Sequence, residues 1–126
     1  LDGSSAASDV YKRQGHNVSA SLSIANWIKN QNQEVNLIVG MMKDKEHIEF
    51  IKSFRNIVNS ITLIDIPNQD GAISKEDLES KLNDLNLNIK RSQSIESAIK
   101  SLSKNKNTIT ICIGSLYLAG EILKLN

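Results

Sequence analysis

The chain has few of the residues from which the commoner kinds of site are built. It contains one cysteine, Cys112, and aromatic residues make up 4% of its 126 residues. A lone cysteine inside the apolar run 109–113 predicts a buried core thiol rather than a nucleophile or a metal ligand, and the lack of a second cysteine is typical of a reducing compartment. So few aromatic side chains provide no platform on which bases could stack.

Charge of either sign is not in excess. The 15 lysines and arginines are matched by 14 aspartates and glutamates, which gives a formal net charge of +1. Because nothing concentrates positive charge, we expect no nucleic-acid partner and no binding to an acidic membrane surface. No apolar run approaches the ~20 residues of a membrane span, and no signal-peptide pattern opens the chain. The sequence therefore predicts a cytoplasmic protein.

The motifs of phosphate and metal sites are missing as well. Neither G-x-x-x-x-G-K-[ST] nor G-x-G-x-x-G occurs, and no cysteines, histidines or carboxylates stand at the spacing of metal ligands. The residues on their own thus form no complete catalytic constellation, and we assign the chain no metal site.

What the sequence does contain is a regular alternation of helix-like and strand-like segments. Helical spacing of apolar residues predicts helices over 18–32 and 44–55, after Ser74, after Ser94, and after Gly114. Short apolar runs predict strands over 35–40, 61–66, 87–89 and 108–113. This order predicts an α/β fold in one domain of residues 1–126, a doubly wound, Rossmann-like, mostly parallel sheet with helices on both faces.

The predicted helices carry specific expectations about their ends and faces. Ser74 and Ser94 are expected to cap the helices that follow them, the first in a capping box with Asp77. In the helix over 44–55, Asp44 is expected at the N-cap and His47 on the surface. The residues expected in the buried stripes of the first two helices are Val18, Leu22, Ala25, Ile28, Ile48, Ile51 and Phe54.

Ligands of such sheets bind at the carboxyl ends of the strands, where residues 2–17, 40–44, 66–71 and 114–115 are expected to meet. Asp2 could accept hydrogen bonds from ribose hydroxyls, and His16 could donate to a phosphate or a carboxylate at a helix N-terminus.

On spacing alone, structural roles are the simpler account of the same residues. Asn17 could simply cap a helix, His16 could be a solvated loop residue, and Ser115 could cap the last helix rather than bind phosphate. Lys43 and Lys45 could reach an anion or lie free on the surface.

Residues 4–14 interrupt this pattern. As a native insertion they would add only about 1.3 kcal/mol of loop-closure entropy, so the fold would survive, but they would separate Asp2 from His16. Deleting them leaves Leu-Asp-Gly-Gly-His-Asn, and the resemblance of that phrase to a family motif, described below, favours a foreign insertion or an artefact. The chain opens at Leu1 in what reads as the middle of a strand, so we expect a fragment of a longer protein.

Three segments resemble the C-terminal domain of the Mur ligase superfamily in its folate branch, the folylpolyglutamate and dihydrofolate synthases. The first is Leu-Asp-Gly-Gly-His-Asn without the spacer, the second is LIVGMMKDK at 37–45, and the third and most specific is IGSLYLAGE at 113–121. Together they span nearly all of the chain apart from the spacer. A peptidoglycan-building Mur ligase stays the nearest rival, and a free-standing, non-catalytic α/β module that binds a nucleotide or a protein partner is the alternative from another class.

The resemblance implies an ATP-dependent ligation in which folate or dihydropteroate is phosphorylated on a carboxylate and then joined to the amine of L-glutamate. Magnesium would neutralise phosphate charge, held mainly by upstream domains whose P-loop and carbamylated lysine are absent here, so the fragment alone should be inactive. Asp2 would contact the ribose, His16 the phosphates or the incoming glutamate, and Asn17 and Ser115 would shape the same rim. Relatives are typically monomers. Which folate is the acceptor stays open.

Overall fold

The sheet has five strands with helices packed against both of its faces. The structure, a computed structural model, describes residues 18–104, 107–114 and 124–125. The helices are α1 (Val18–Lys29), α2 (His47–Lys52), α3 (Lys75–Lys81) and α4 (Ile95–Leu102), with a 3₁₀ turn at Asn83–Leu85. The strands are β1 (Glu34–Gly40), β2 (Ser60–Leu63), β3 (Ile89–Arg91), β4 (Thr108–Gly114) and β5 (Lys124–Leu125).

The strand order is β3-β2-β1-β4-β5. The first four strands are parallel, and only β5 runs antiparallel, beside β4. This confirms the predicted α/β fold with a mostly parallel sheet. The order reverses between β1 and β4, because the chain moves outward from β1 to β3 and then returns to the other side of β1. That boundary is the topological switch point of the sheet, where doubly wound folds open a crevice.

Alternation along the strands divides the core into two layers. In β1, Val35, Leu37 and Val39 face one layer, with helices α1, α2 and α3, while Ile38 faces the other. Helix α4 covers that second layer, where Ala98 is buried and Ile95, Ile99 and Leu102 pack against it. Helices therefore lie on both faces, as the sequence predicted.

Two helix starts are as predicted. The hydroxyl Oγ of Ser74 accepts a hydrogen bond from the backbone N–H of Asp77 at 3.1 Å, and Ser94 Oγ accepts one from Ser97 N–H at the same distance. Each serine thus satisfies a donor that the first turn of a helix leaves without a partner. The same two serines set where α3 and α4 begin.

The prediction for α2 was wrong at its start and on its surface. The helix begins at His47, and its N-cap residue Glu46 forms no side-chain capping bond, so Asp44 is not the cap. His47 is only 4% exposed, whereas Ile48 is 45% exposed. The buried stripe runs through His47, Phe50, Ile51 and Phe54, a spacing of i, i+3, i+4 and i+7. It keeps the predicted Ile51 and Phe54 but begins at His47 instead of Ile48.

Smaller corrections concern α1 and the strands. Leu22 was expected in the buried stripe of α1 but is 58% exposed, because Ile24, Ala25 and Ile28 form the face toward the core. The strand β3 lies at Ile89–Arg91 instead of 87–89, and β2 ends at Leu63. The predicted final helix lies outside the described residues. Within the described part of the chain, no helix has the length and apolar character that crossing a membrane requires.

Candidate functional site

The carboxyl ends of β1 and β4 meet at the switch point as two glycines. Gly40 and Gly114 are partners in the parallel register, one at the end of each strand. A Cβ atom on Gly40 would lie 2.9 Å from Cγ1 of Ile66 and 3.4 Å from the carbonyl oxygen of Ile64. The first distance is shorter than real Cβ contacts, so a side chain at position 40 would require Ile66 or the neighbouring backbone to shift. The end of β1 is thus closed tightly against the segment that follows β2.

Beyond Gly40, the chain forms a short ribbon with the loop that precedes α3. The backbone N–H of Lys43 donates to the carbonyl of Gly71 at 2.7 Å, and the N–H of Ile73 donates to the carbonyl of Met41 at 3.0 Å. Met42 and Ala72 form an antiparallel bridge between these two bonds. Residues 41–43 and 71–73 are called the edge ribbon below. It extends the ordered structure past the end of the sheet at the switch point.

His47 fastens the edge ribbon to α2. Its ring nitrogen Nε2 lies 2.7 Å from the carbonyl oxygen of Met42, and the ring is buried. A carbonyl oxygen only accepts, so Nε2 carries the proton and donates. The two residues on the outer side of the same turn, Lys43 and Asp44, are exposed. The edge ribbon is therefore bonded to a buried histidine, while Lys43 at its end is exposed to solvent.

The start of α3 is held by the carboxylate of Asp65, which follows β2. Asp65 Oδ1 accepts the backbone N–H of Lys75 at 2.8 Å, and Oδ2 accepts from the Lys75 ammonium at 2.6 Å. The hydrogen bond from the Lys75 side chain, and then that from its backbone, lower the pKa of Asp65 below its usual value. The same ion pair raises the pKa of Lys75. One carboxylate thus ties together both ends of the loop 66–74.

Further charges continue this pairing to the end of β3. Glu76 lies 3.4 Å from both the Lys75 ammonium and Nη1 of Arg91, and Glu79 lies 3.1 Å from Nε of Arg91. The side chains of Glu76, Glu79 and Arg91 are about half-exposed, so each pair contributes little stability by itself. In the described part of the chain, Lys43 and Lys45 take part in no ion pair. Their ammonium groups are the cations of this edge that remain available to an anion, which leaves open the two roles considered from the sequence.

The residues predicted to bind nucleotide lie outside the described residues. Asp2, His16, Asn17 and Ser115 are all in this position, so their roles stay predictions. Nothing is established of the spacer 4–14 either. Among the residues that the structure describes, no group of three or more histidine, cysteine or carboxylate side chains could hold a metal ion.

Cys112 is a core residue, as predicted. It is buried in the layer beneath α4 with Ile38 and Ile64. Burial raises the pKa of its thiol to about 12, so the reactive thiolate is scarcely populated at neutral pH.

Reasoning from the sequence missed His47, which was expected on the surface and given no role. The signal was available in the spacing. Starting the α2 stripe at His47 instead of Ile48 places both phenylalanines and Ile51 on one face, and it leaves the histidine as a polar residue in an otherwise apolar stripe. A polar group at such a position needs a hydrogen-bond partner, which is a reason to look for one.

Comparison with known families identifies the fold and its lineage. Residues 14–125 match the family model described as the C-terminal domain of dihydrofolate synthetase. This chain belongs to that family. The resemblance to the folate branch of the Mur ligases, first seen in three short segments, is confirmed. The match begins near the end of the spacer, so that Asp2 and most of residues 4–14 precede it. A comparison with curated protein sequences finds no match.

Solved structures of folate ligases contain the same fold. Folylpolyglutamate synthase from Mycobacterium tuberculosis, complexed with ADP, is similar with a TM-score of 0.68 and 12% identity, covering 79% of this chain and 25% of that one. The enzyme from Thermotoga maritima gives 0.67 and 17%, with 84% and 24% covered. A bifunctional folylpolyglutamate synthase/dihydrofolate synthase with Mn, AMPPNP and L-glutamate bound gives 0.66 and 16%, with 83% and 27% covered. The chain thus spans about a quarter of these proteins.

Proposed function

We propose that this dihydrofolate synthetase C-terminal domain is the nucleotide-facing portion of an ATP-dependent folate:L-glutamate ligase of the cytoplasm. The observation that carries the proposal is the family match over residues 14–125. The glycine-ended switch point supports it, because doubly wound sheets bind ligands in that crevice. The solved relatives supply the ligand classes, since their descriptions name ADP in one case and AMPPNP, Mn and L-glutamate in another.

The proposed reaction is amide formation through an acyl phosphate. An oxygen of the carboxylate of folate or dihydropteroate attacks the γ-phosphorus of ATP, and ADP leaves. The amine of L-glutamate then attacks the carbonyl carbon, loses a proton, and expels inorganic phosphate as the amide forms. Magnesium, when bound, would neutralise the phosphate oxygens. The described residues provide no set of ligands for it, so we assign its binding mainly to the remainder of the ligase.

The roles proposed for individual residues come from the family resemblance. Asp2 would accept hydrogen bonds from the ribose hydroxyls, and His16 would donate to the phosphates or to the glutamate carboxylate. Asn17 and Ser115 would complete the same rim. A domain of this kind contributes positioning to a reaction whose phosphate cradle lies elsewhere, so the chain alone should catalyse nothing. We propose that the ligase acts as a monomer.

The spacer bears directly on this proposal. With residues 4–14 in place, Asp2 and His16 are separated, and a displacement of about 1 Å at a reacting group can reduce a rate ~100-fold. We therefore propose that the functional ligase lacks the spacer. Sequencing the genomic locus across residues 1–17 and upstream tests this. A P-loop domain running in frame into Leu-Asp-Gly-Gly-His-Asn is expected, whereas a start codon near Leu1 would favour a free-standing binding module.

The functional test is Asp2→Ala in the full-length ligase without the spacer, with Asp70→Ala as the matched control. Asp70 is an exposed carboxylate on the loop 66–74 and is given no role in binding. We expect Asp2→Ala to raise the KM for ATP about tenfold or more, since it removes hydrogen bonds from a charged acceptor, and to leave the melting temperature unchanged. Equal losses of activity and stability would make Asp2 a structural residue. No glutamate incorporation in the wild type would refute the ligase itself.

A further inference from the structure

We propose that His47 is a positioning residue at the carboxyl edge of the sheet, beside the switch point. In this proposal its imidazole, donating to the carbonyl of Met42, holds the edge ribbon in the one conformation that the ligase uses. The claim that the edge ribbon serves the ligase site rests on the proposed function. The claim that His47 fixes the edge ribbon does not depend on that function, because it follows from the hydrogen bonds of the chain.

The first argument is that a histidine is a poor choice for packing alone. The face of α2 on which it lies is otherwise apolar, formed by Phe50, Ile51 and Phe54. A buried imidazole loses its hydration, and an apolar side chain of similar size would fill the space without that penalty. The compensating bond is the one to Met42 at 2.7 Å, a short distance for a nitrogen donor and a carbonyl acceptor. The polar ring is therefore accounted for by the bond that it makes.

The second argument is the position of Met42 in the edge ribbon. It is the middle residue of 41–43, and its neighbours on either side bond to Ile73 and Gly71. The bond from His47 is a hydrogen bond between this ribbon and α2, and it adds to the apolar core that Met41 and Ile73 share with that helix. Helix α2 begins at this histidine, and its N-cap residue Glu46 forms no side-chain capping bond.

The third argument concerns which part of the edge is left open. The chain turns outward directly after the ribbon, and Lys43 and Asp44 are exposed there. A Cβ on Gly40, just before it, would lie 2.9 Å from Cγ1 of Ile66, so a side chain there would require a shift. The backbone at the switch point is thus confined on the β2 side by Ile66 and on the α2 side by His47. Both contacts are made by side chains, and the bond from His47 is the one that a substitution at position 47 releases.

Two substitutions separate this bond from packing. His47→Gln keeps an N–H donor at about the reach of Nε2, whereas His47→Leu keeps the bulk and removes the donor. In the full chain, His47→Leu should accelerate amide hydrogen exchange of Lys43 and Ile73 about tenfold or more, and His47→Gln should restore most of the protection. Ile51→Val, which trims the same buried face, should leave those two amides protected relative to the rest of the chain.

Other results would overturn the proposal. If Lys43 and Ile73 keep their protection in His47→Leu, the bond does not hold the ribbon. If protection falls equally in β4, the histidine is only part of the core. If His47→Leu does not fold, the tautomer of His47 in the wild-type protein tests the bond instead. Nitrogen chemical shifts of the neutral ring must show the Nε2–H tautomer, and an Nδ1–H tautomer would refute the bond.

The link to catalysis is tested separately in the full-length ligase. His47→Leu should raise the KM for ATP with a smaller effect on kcat, and His47→Gln should recover it, because a positioning residue acts through the conformation of the site. Changed exchange with an unchanged KM would show that the ribbon is fixed but does not serve the site. Changed exchange in a protein that lacks ligase activity altogether would leave the positioning intact and refute the proposed function instead.

Discussion

Substitution of Asp65 tests directly what stabilises the loop 66–74 and the start of α3 at the carboxyl edge of the sheet. Asp65→Ala removes the acceptor of the Lys75 backbone N–H and the partner of its ammonium at once. Loss of a helix-start acceptor of this kind destabilises a protein by about 1 kcal/mol, and the ion pair adds less because the Asp65 side chain is 45% exposed. We expect a total loss of about 1–2 kcal/mol, or roughly 4–8 °C in melting temperature for a domain of this size.

Matched variants divide this loss into its parts. Asp65→Asn keeps an oxygen for the backbone N–H and gives up the charge, so it should be less harmful than Asp65→Ala. Lys75→Met keeps the backbone bond and removes the ammonium, and it too should be the milder change. Asp70→Ala, an exposed carboxylate of the same loop, should be neutral. Chemical denaturation with a shared slope measures all four.

The pH dependence has a definite sign. The folded-state pKa of Asp65 lies below its usual value of 3.8, so the native state favours the charged carboxylate. The contribution of that charge is complete above the pKa of the unfolded chain and is lost as the pH falls through the lowered folded value. The gap in unfolding free energy between wild type and Asp65→Asn should therefore be constant near neutrality and narrow below about pH 4. A gap that persists in acid, or an Asp65→Ala variant as stable as Asp70→Ala, would refute the reasoning.

Two further predictions concern packing. Gly40→Ala should destabilise the chain by about 1–3 kcal/mol, because its Cβ would lie 2.9 Å from Cγ1 of Ile66 and 3.4 Å from the carbonyl oxygen of Ile64. Gly71→Ala should be milder, since its Cβ would meet only the terminal methyl group of the flexible Met42 side chain. Denaturant unfolding of the two variants measures the difference. Cys112 should react with a thiol reagent only as fast as the chain opens, because it is buried with a pKa of about 12; labelling of the native protein at the rate of the unfolded chain would contradict this.

The sequence was sufficient for the fold class because helix and strand periods alternate clearly along it. Caps at Ser74 and Ser94 could be read from spacing alone, since the bonds they form reach only three residues along the chain. The strand order was not available in the same way. In β1 every residue from Val35 to Gly40 is buried, so its sequence does not say which face each crossover helix covers. Helix α4 packs on the second face of the sheet, and this change of face accompanies the switch point. It depends on how all of the strands are ordered, so no single segment predicts it.

The candidate site was predictable in outline and not in its contacts. The carboxyl edge follows from the parallel strands, and the segment at 40–44 does lie there. The bonds that shape it join residues far apart in sequence. Asp65 forms an ion pair with Lys75, and the backbone N–H of Lys43 donates to the carbonyl of Gly71. Both bonds depend on the path of the loop 66–74, which no local sequence pattern specifies. A one-residue error in the α2 stripe was enough to turn His47 from a buried donor into an apparent surface residue.

That error shows what kind of residue local patterns misplace. A stripe at helical spacing is usually identified from its apolar residues, and Ile48 is the first apolar residue of this helix. The structure chooses His47, because a turn of backbone beyond β1 presents a carbonyl that only a donor can satisfy, while Ile48 can face solvent at modest cost. Polar residues that enter a stripe in this way satisfy a hydrogen-bonding group outside the helix, here a carbonyl five residues earlier in the chain. In a domain whose proposed task is to position groups for chemistry completed elsewhere, such residues are where the determinants of geometry are to be sought.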